Sequence, residues 1–383
     1  MKKNVIVCAI LIVFSLSLIV SSAVSSNSRD IQNPETKFSK IYSNIVEVFK
    51  PAKRSVYLVA WWDIMLSRNI WYLAKKEWYD RIFQEWNYNP VSSFENCSWE
   101  DCLLFFNLES LFNEKDNDIP KWWFIFKSNP KNVETLIQLK QDHPMILSLT
   151  NNHTINTTYD WVVQTKDILD SNNIMWVGVW TSTWESRKFA VYEKNWIKIC
   201  LWAYSYEWQY VKVWAWKISW NPMDEKIMKE DLVLMKDTGC DVKILSIHRG
   251  AEYRISPNAQ QKNLAHSLID SGADLILWWH SHVPWEFEIY SWKYVFYSFW
   301  NFIFDQTRWK TTPWWNYDHI FDYSLNKNTV PTYISMVAWL NIEKEGTEIS
   351  INLEKMVMSS LTDGISSPLD AETYLWIMER IQK

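Results

Sequence analysis

The chain has 383 residues, 48% of them hydrophobic and 22% charged, a globular composition rather than a disordered one. Its formal net charge of -5 argues against nucleic acid or an anionic membrane surface as the main partner. Two counts are out of balance: 6 Gly and 28 Trp, where roughly 27 Gly would be usual at this length.

Lys2 and Lys3 precede the apolar run Val5–Val20, which gives way to S-S-A-V-S-S. A basic start, an apolar middle and a small-residue exit describe a secretory signal over residues 1–27, with an uncleaved N-terminal membrane anchor as the alternative. Either places the remainder outside the cytoplasm, secreted or tethered. Residues 28–54 read as a linker, 55–358 as the main domain and 359–383 as a helical C-terminal tail.

From Ser55, S-V-Y-L-V-A is a strand ending in W-W-D. Asn132–Lys140 has helical spacing, M-I-L-S-L-T is a strand ending in N-N-H, and Tyr159–Ser171 is a second helix. K-F-A-V-Y-E and I-K-I-C-L-W-A-Y are strands, and V-K-I-L-S-I is another that ends in His248. A helix over 258–271 leads to the strand D-L-I-L, then to a hairpin of E-F-E-I-Y with Y-V-F-Y-S. I-S-M-V-A-W-L-N-I and T-E-I-S-I-N-L form a closing strand pair, with a last helix near 370–381. Strands alternating with helices predict an α/β sheet, and the hairpins add antiparallel pairing.

The tryptophans fall where glycine is expected. E-K-N-W-I-K joins two strands through a two-residue turn that calls for Asn-Gly, because both central residues need positive φ. I-Y-S-W-K-Y repeats this at Trp292, and Trp61-Trp62, Trp122-Trp123, Trp278-Trp279 and Trp314-Trp315 are doublets expected in turns or loops. The expectation is a gene from a lineage that reads UGA as glycine, translated with a table that reads it as tryptophan. A Trp-rich, glycan-binding surface is the competing reading, and it requires UGG codons.

Cys97 and Cys102 are close enough for a local disulfide in an exported chain, whereas Cys200 reads as a small buried thiol. The pair His280-x-His282, at the end of a strand, is a common metal-holding pattern. Asp63, Asn152 and His248 also follow strands, the edge where open α/β sheets bind ligands.

With those Trp read as Gly, the segments become G-D-I-M-L-S-R, N-L-E, N-N-H, H-R-G-A-E-Y, G-G-H-S-H-V and S-F-G-N-F-I-F-D. In this order they resemble the CapA family of poly-γ-glutamate capsule proteins, related to calcineurin-like metallophosphoesterases, over roughly residues 55–355. The resemblance implies a four-layer α/β/β/α sandwich and one or two divalent metal ions (Mn, Fe, Zn or Mg). Asp63, Glu109, Asn152, His248, His280 and His282 are the ligand candidates, with Glu109 bridging two metals. His153 is placed as general acid, with Asn152 and Arg68 completing the catalytic set.

Asn107 and Glu252 are expected to steady the ligands, and Arg68 or Arg249 to hold an anionic substrate group; His143, His266 and His319 are read as structural. Three positions depart from relatives: Met65 stands where metallophosphoesterases carry a histidine, Asn156 where an Asp is common, and Arg249 where an aromatic is frequent. The implied function is synthesis or export of poly-γ-glutamate or a related anionic surface polymer. It would use a phosphoesterase-type hydrolase site on the polymer or a phosphoester, beside membrane-bound capsule synthesis proteins. A non-catalytic polymer-binding or assembly subunit is the alternative.

Overall fold

The computed structural model of the chain describes residues 53–67, 101–114, 126–154, 159–180, 188–205, 219–220, 223–252, 256–282, 285–298, 301–304, 334–362 and 365–368. Within them two large sheets form. The first holds, in spatial order, β18 (Ile365–Pro368), β17 (Glu348–Thr362), β16 (Ile334–Glu345), β1 (Arg54–Ile64), β2 (Cys102–Leu108), β5 (Met145–Ser148) and β6 (Met175–Val177). Strand β15 (Asn301–Ile303) also pairs with β1. The second runs β13 (Phe287–Tyr290), β14 (Lys293–Phe296), β12 (Leu275–Trp279), β11 (Val242–His248), β9 (Ile197–Ser205) and β8 (Ala190–Lys194). Two short pairs complete the strands, β3 (Leu111–Phe112) with β4 (Lys127–Ser128) and β7 (Val179–Trp180) with β10 (Ser219–Trp220).

Side-chain alternation explains the layering. On β9, Ile197, Ile199, Leu201 and Ala203 enter one core, while Cys200, Trp202 and Tyr204 enter another. On β12, Leu275, Leu277 and Trp279 face the first core, and Ile276 and Trp278 the second. Such strands are buried on both faces, hence their near-continuous apolar runs. The first core joins both sheets, and also takes Leu136 and Leu139 of α1 (Val133–Lys140) with Val162 and Leu169 of α2 (Tyr159–Ser171). The second core joins the second sheet to Met228, Leu232 and Met235 of α3 (Glu225–Asp237) and to Ala265, Leu268 and Ile269 of α4 (Ala259–Asp270). The result is the α/β/β/α order expected from the sequence.

Local chemistry sets the helix starts. Asp224 accepts the Ile227 N–H ahead of α3, and Asn258 with Gln261 forms a reciprocal capping box at α4. Neither α3 nor β2 is among the elements expected from the sequence. Both signals are there: Met228, Leu232 and Met235 recur at helical spacing, and C-L-L-F-F-N-L is an apolar run of strand length.

Three expectations need correction. Cys200 is not a free thiol: it is disulfide-bonded to Cys240, which the fold brings back from 40 residues away. Strands β17 and β18 carry the first sheet to Pro368, beyond the boundary expected at 358, so the start of the tail is strand rather than helix. Neither Trp61-Trp62 nor Trp278-Trp279 sits in a turn: the first pair lies within β1 and the second is buried within β12, where Trp279 Nε1 donates to Ser246 Oγ at 2.6 Å. Cys102 is disulfide-bonded, whereas Cys97, Trp122, Trp123, Trp314, Trp315 and the expected helix near 370–381 lie outside the described residues.

The two hairpin tryptophans do sit in turns. Asn195 and Trp196 join β8 to β9 with φ of 52° and 62°, and Ser291 and Trp292 join β13 to β14 with φ of 47° and 63°. Positive φ at both central residues is the turn that favours Asn-Gly, and an indole there is a backbone outlier.

Candidate metal centre

The ends of five strands and the loops after them build the site. Parallel pairing of β1 with β2 sets Asp63 opposite Asn107, and β1 with β15 sets Asp63 opposite Asn301. Glu109 follows β2 directly, and its N–H donates to the Ile64 carbonyl at 2.8 Å. The loop after β5 supplies Asn151, Asn152 and His153, β11 ends on His248, and β12 runs into His280 and His282. Both sheets therefore contribute at the carboxyl ends of parallel strands, the edge where α/β folds bind ligands.

Asn107 organises the centre. Its Nδ2 donates to Asp63 Oδ1 at 2.7 Å and lies 3.2 Å from His248 Nδ1 and 3.5 Å from Glu109 Oε1. Asn151 turns the next loop: its Nδ2 donates to the Leu108 carbonyl at 2.8 Å, and its Oδ1 accepts the His153 and Thr154 N–H groups at 3.1 and 3.0 Å. The Phe126 ring stacks on His153 with centroids 3.6 Å apart, fixing the imidazole plane. His153 Nε2 lies 3.2 Å from Asn152 Nδ2 and 4.0 Å from Glu109 Oε2.

Around His248 Nε2 gather Asn152 Oδ1 at 3.0 Å, His280 Nδ1 at 3.1 Å and Glu109 Oε1 at 3.3 Å. These are acceptor-type atoms held out of water, and such a gathering is repulsive unless a proton or a cation lies among them. Asp63, Glu109 and His248 each bring a donor atom within 4.8 Å of the others, and all three are buried. Oxygen and imidazole donors without a thiolate suit Mg, Mn, Fe or Zn. The residues present therefore fit a divalent cation.

The electrostatics favour the same occupant. Burial, followed by the neighbouring His280, His282 and His153, holds His248 well below the ordinary imidazole range. Burial and then His282 take His280 down to about 3, so both rings stay neutral and keep a lone pair for a ligand. Burial pushes Asp63 up to about 6, while His282 and the Asn107 amide pull it back. A cation beside a buried carboxylate removes the cost of keeping it ionised.

Of the residues expected from sequence, the structure brings together Asp63, Glu109, Asn152, His153, His248, His280 and His282. Arg68 lies outside the described residues. Arg249 is half-buried and reaches Met223 Sδ at 3.9 Å. His143 is buried just after α1, its N–H donating to the Lys140 carbonyl at 2.9 Å, and His266 pairs with Glu288 at 2.6 Å. Two further contributors lie outside the set read from the sequence. Asn301 Oδ1 accepts from His282 Nδ1 at 2.8 Å; it lies inside the S-F-W-N-F-I-F-D segment, a readable signal. Phe126, the partner of His153, carries no signal in the sequence because only the fold stacks the two rings.

Four layers with oxygen and imidazole donors at the strand ends define an α/β protein with a candidate metal centre. The chain belongs to the bacterial capsule synthesis protein family PGA_cap, whose model matches residues 58–306. It is 26% identical over 249 residues to the PGA biosynthesis protein CapA of Bacillus subtilis (strain 168), covering 64% of this chain and 62% of that one. It is 24% identical over 255 residues to the capsule biosynthesis protein CapA of Bacillus anthracis, covering 64% and 58%. The chain thus spans about three-fifths of the length of these curated relatives. Among solved structures it is similar to the calcineurin-like phosphoesterase YfkN from Bacillus subtilis, with 15% identity and a TM-score of 0.39 over 86% of this chain and 97% of that one.

Proposed function

We propose that the chain is an exported, divalent-metal-dependent hydrolase of the phosphoesterase type, serving the synthesis or export of poly-γ-glutamate or a related anionic surface polymer. The observation that carries this reading is the convergence of Asp63, Glu109 and His248, with Asn152, on one buried point. The names of the capsule relatives support the polymer, and the basic-then-apolar N-terminus together with the Cys200–Cys240 disulfide supports an oxidising, extracytoplasmic location.

A bound divalent cation would supply Lewis-acid polarisation of a phosphoester or similarly polarised centre. Asp63, Glu109, Asn152, His248, His280 and His282 are the residues that would hold one or two such ions. His153, stacked on Phe126 and facing Glu109, would act as the general acid only in its protonated form, since the Asn152 amide nitrogen lies 3.2 Å from Nε2 and can only donate to it. Asn152 orients that ring, and Asn107 keeps Asp63 and His248 in place. Polymer recognition and contact with membrane-bound synthesis proteins belong to the same proposal.

The test uses the full chain translated with its host's own code. Metal content and hydrolysis of bis(p-nitrophenyl) phosphate are compared with His248→Ala and His280→Ala. The expected result is bound divalent metal and hydrolysis, both reduced in each variant. A metal-free chain whose variants behave like the parent would instead leave a polymer-binding assembly subunit, consistent with Met65 where a ligand histidine is usual.

A further inference from the structure

Beside the buried donors around His248 lies a second group. A carboxylate oxygen of Glu252 and one ring nitrogen each of His280 and His282 lie within 4.8 Å of one another. Resting on the metal-dependent reading above, we propose that Glu252 is a direct ligand of a second divalent cation, held with His280 and His282, and not merely a support for other ligands.

The backbone is shaped to bring this carboxylate back to the site. After β11, the chain turns through Arg249, Gly250 and Ala251. Gly250 has φ of 146°, and a β-carbon there would meet Gln261 Nε2 at 3.0 Å and the Trp285 ring at 3.6 Å. The positive φ favours glycine at this turn, whereas the contacts themselves are with the flexible end of Gln261 and, at ordinary distance, with Trp285. The return places Glu252 opposite the loop after β12.

That loop holds its two histidines in unusual conformations. His280 has φ of 91° and His282 of 52°, and both are buried. Left-handed backbone at a residue with a β-carbon costs about 1–2 kcal/mol, and strain of this kind collects at functional sites. Ser281 between them is pinned to Ser298 by a 2.5 Å hydroxyl contact. Asn301 Oδ1 can only accept, so His282 donates from Nδ1 and keeps its ligating lone pair on Nε2.

Charge and donor type favour Glu252 over the nearby alternatives. Asp63 and Glu109 belong to the first group, although Asp63 Oδ2 also lies 3.8 Å from His282 Nδ1; Glu252 is the one carboxylate of the second group that the first does not contain. Met65 does not supply one. It is fully buried, and its soft thioether accepts the Ser67 N–H at 3.2 Å. Glu252 adds a hard carboxylate donor of its own to the two imidazoles. It is the exposed member of the set, so the second cation should exchange with solvent more readily than the first.

The experiment is a Mn2+ titration of the metal-stripped full chain by calorimetry, with electron paramagnetic resonance reporting coupled Mn2+ pairs. The parent should bind two Mn2+ and give a coupled-pair signal. Glu252→Gln should keep the tighter site and weaken the other at least tenfold, with loss of the coupled signal. Glu193→Gln, an exposed carboxylate on β8, should match the parent. Two unchanged affinities in Glu252→Gln would overturn this proposal and leave the metal-dependent reading standing. A parent that binds no Mn2+ would overturn both.

Discussion

Trp292→Gly perturbs the turn between β13 and β14, where Ser291 and Trp292 hold φ of 47° and 63°. Left-handed backbone costs a residue with a β-carbon about 1–2 kcal/mol, whereas glycine loses about 0.5–1 kcal/mol more backbone entropy on folding. The indole is 94% exposed, so its removal sacrifices little burial. The balance is a stabilisation of about 0.5–1 kcal/mol, or about 1–3 °C in Tm for a domain of this size. At Trp196 the indole is 72% exposed and Arg54 lies 5.3 Å from its centroid. That contact is worth about 0.5–1 kcal/mol, so Trp196→Gly should come out near neutral. Urea and thermal unfolding of both single variants and the double variant give the order, with Trp292→Gly the most stabilising single change. We infer from the same turns that these positions are glycine in the cell, encoded by UGA. A destabilised Trp292→Gly would refute the strain argument, and UGG codons at positions 62, 196, 279 and 300 would refute the recoding.

Other outcomes follow from the site and the disulfide. His153→Gln should lower hydrolysis of esters with poor leaving groups by about 10²–10⁴-fold while leaving metal content unchanged; an equal loss for nitrophenyl esters would remove its role as proton donor. Metal-free protein should lose stability on acidification from pH 7 to 5. His280, near 3 when folded against about 6.5 unfolded, binds fewer protons in the folded state, so its contribution is present above pH 6.5 and declines below it. His248 acts in the same direction, and Asp63, raised to about 6, opposes them by favouring the folded state as pH falls from about 6 to 4. His280→Gln should therefore flatten the pH profile by up to about 1.4 kcal/mol per unit in denaturant titrations with chelator present, and an unchanged slope would contradict this. Replacing Cys200 and Cys240 together by alanine opens a loop of 40 residues and should cost about 4 kcal/mol in urea unfolding. No change in midpoint would mean the bond does not constrain the unfolded chain.

The strands of the second sheet were legible because burial on both faces leaves continuous apolar runs, as in I-K-I-C-L-W-A-Y. The donor set was legible because polar residues at strand ends break those runs abruptly. What the sequence hides is long-range. Cys200 reads as an apolar thiol because only the fold returns Cys240 to β9. Glu252 reads as a support because its distance to His280 and His282 depends on the turn at Gly250 and on the arrival of a separate strand. Read as Gly-Gly, Trp278 and Trp279 suit a turn; their pairing with Ile247 and His248 makes them the end of β12 instead. β2 and α3 are local signals, an apolar run of strand length and apolar residues at helical spacing, and neither ends in a motif of its own beyond Glu109.

The central claim is that the buried donors around His248 hold a divalent cation. Elemental analysis of the full chain, purified without chelator from a host that shares its genetic code, tests it most directly. The account predicts at least one equivalent of divalent metal per chain, falling well below one in His248→Ala while the fold persists by circular dichroism. A folded parent that carries no metal, and takes up none from excess Mn2+ or Zn2+, would contradict it.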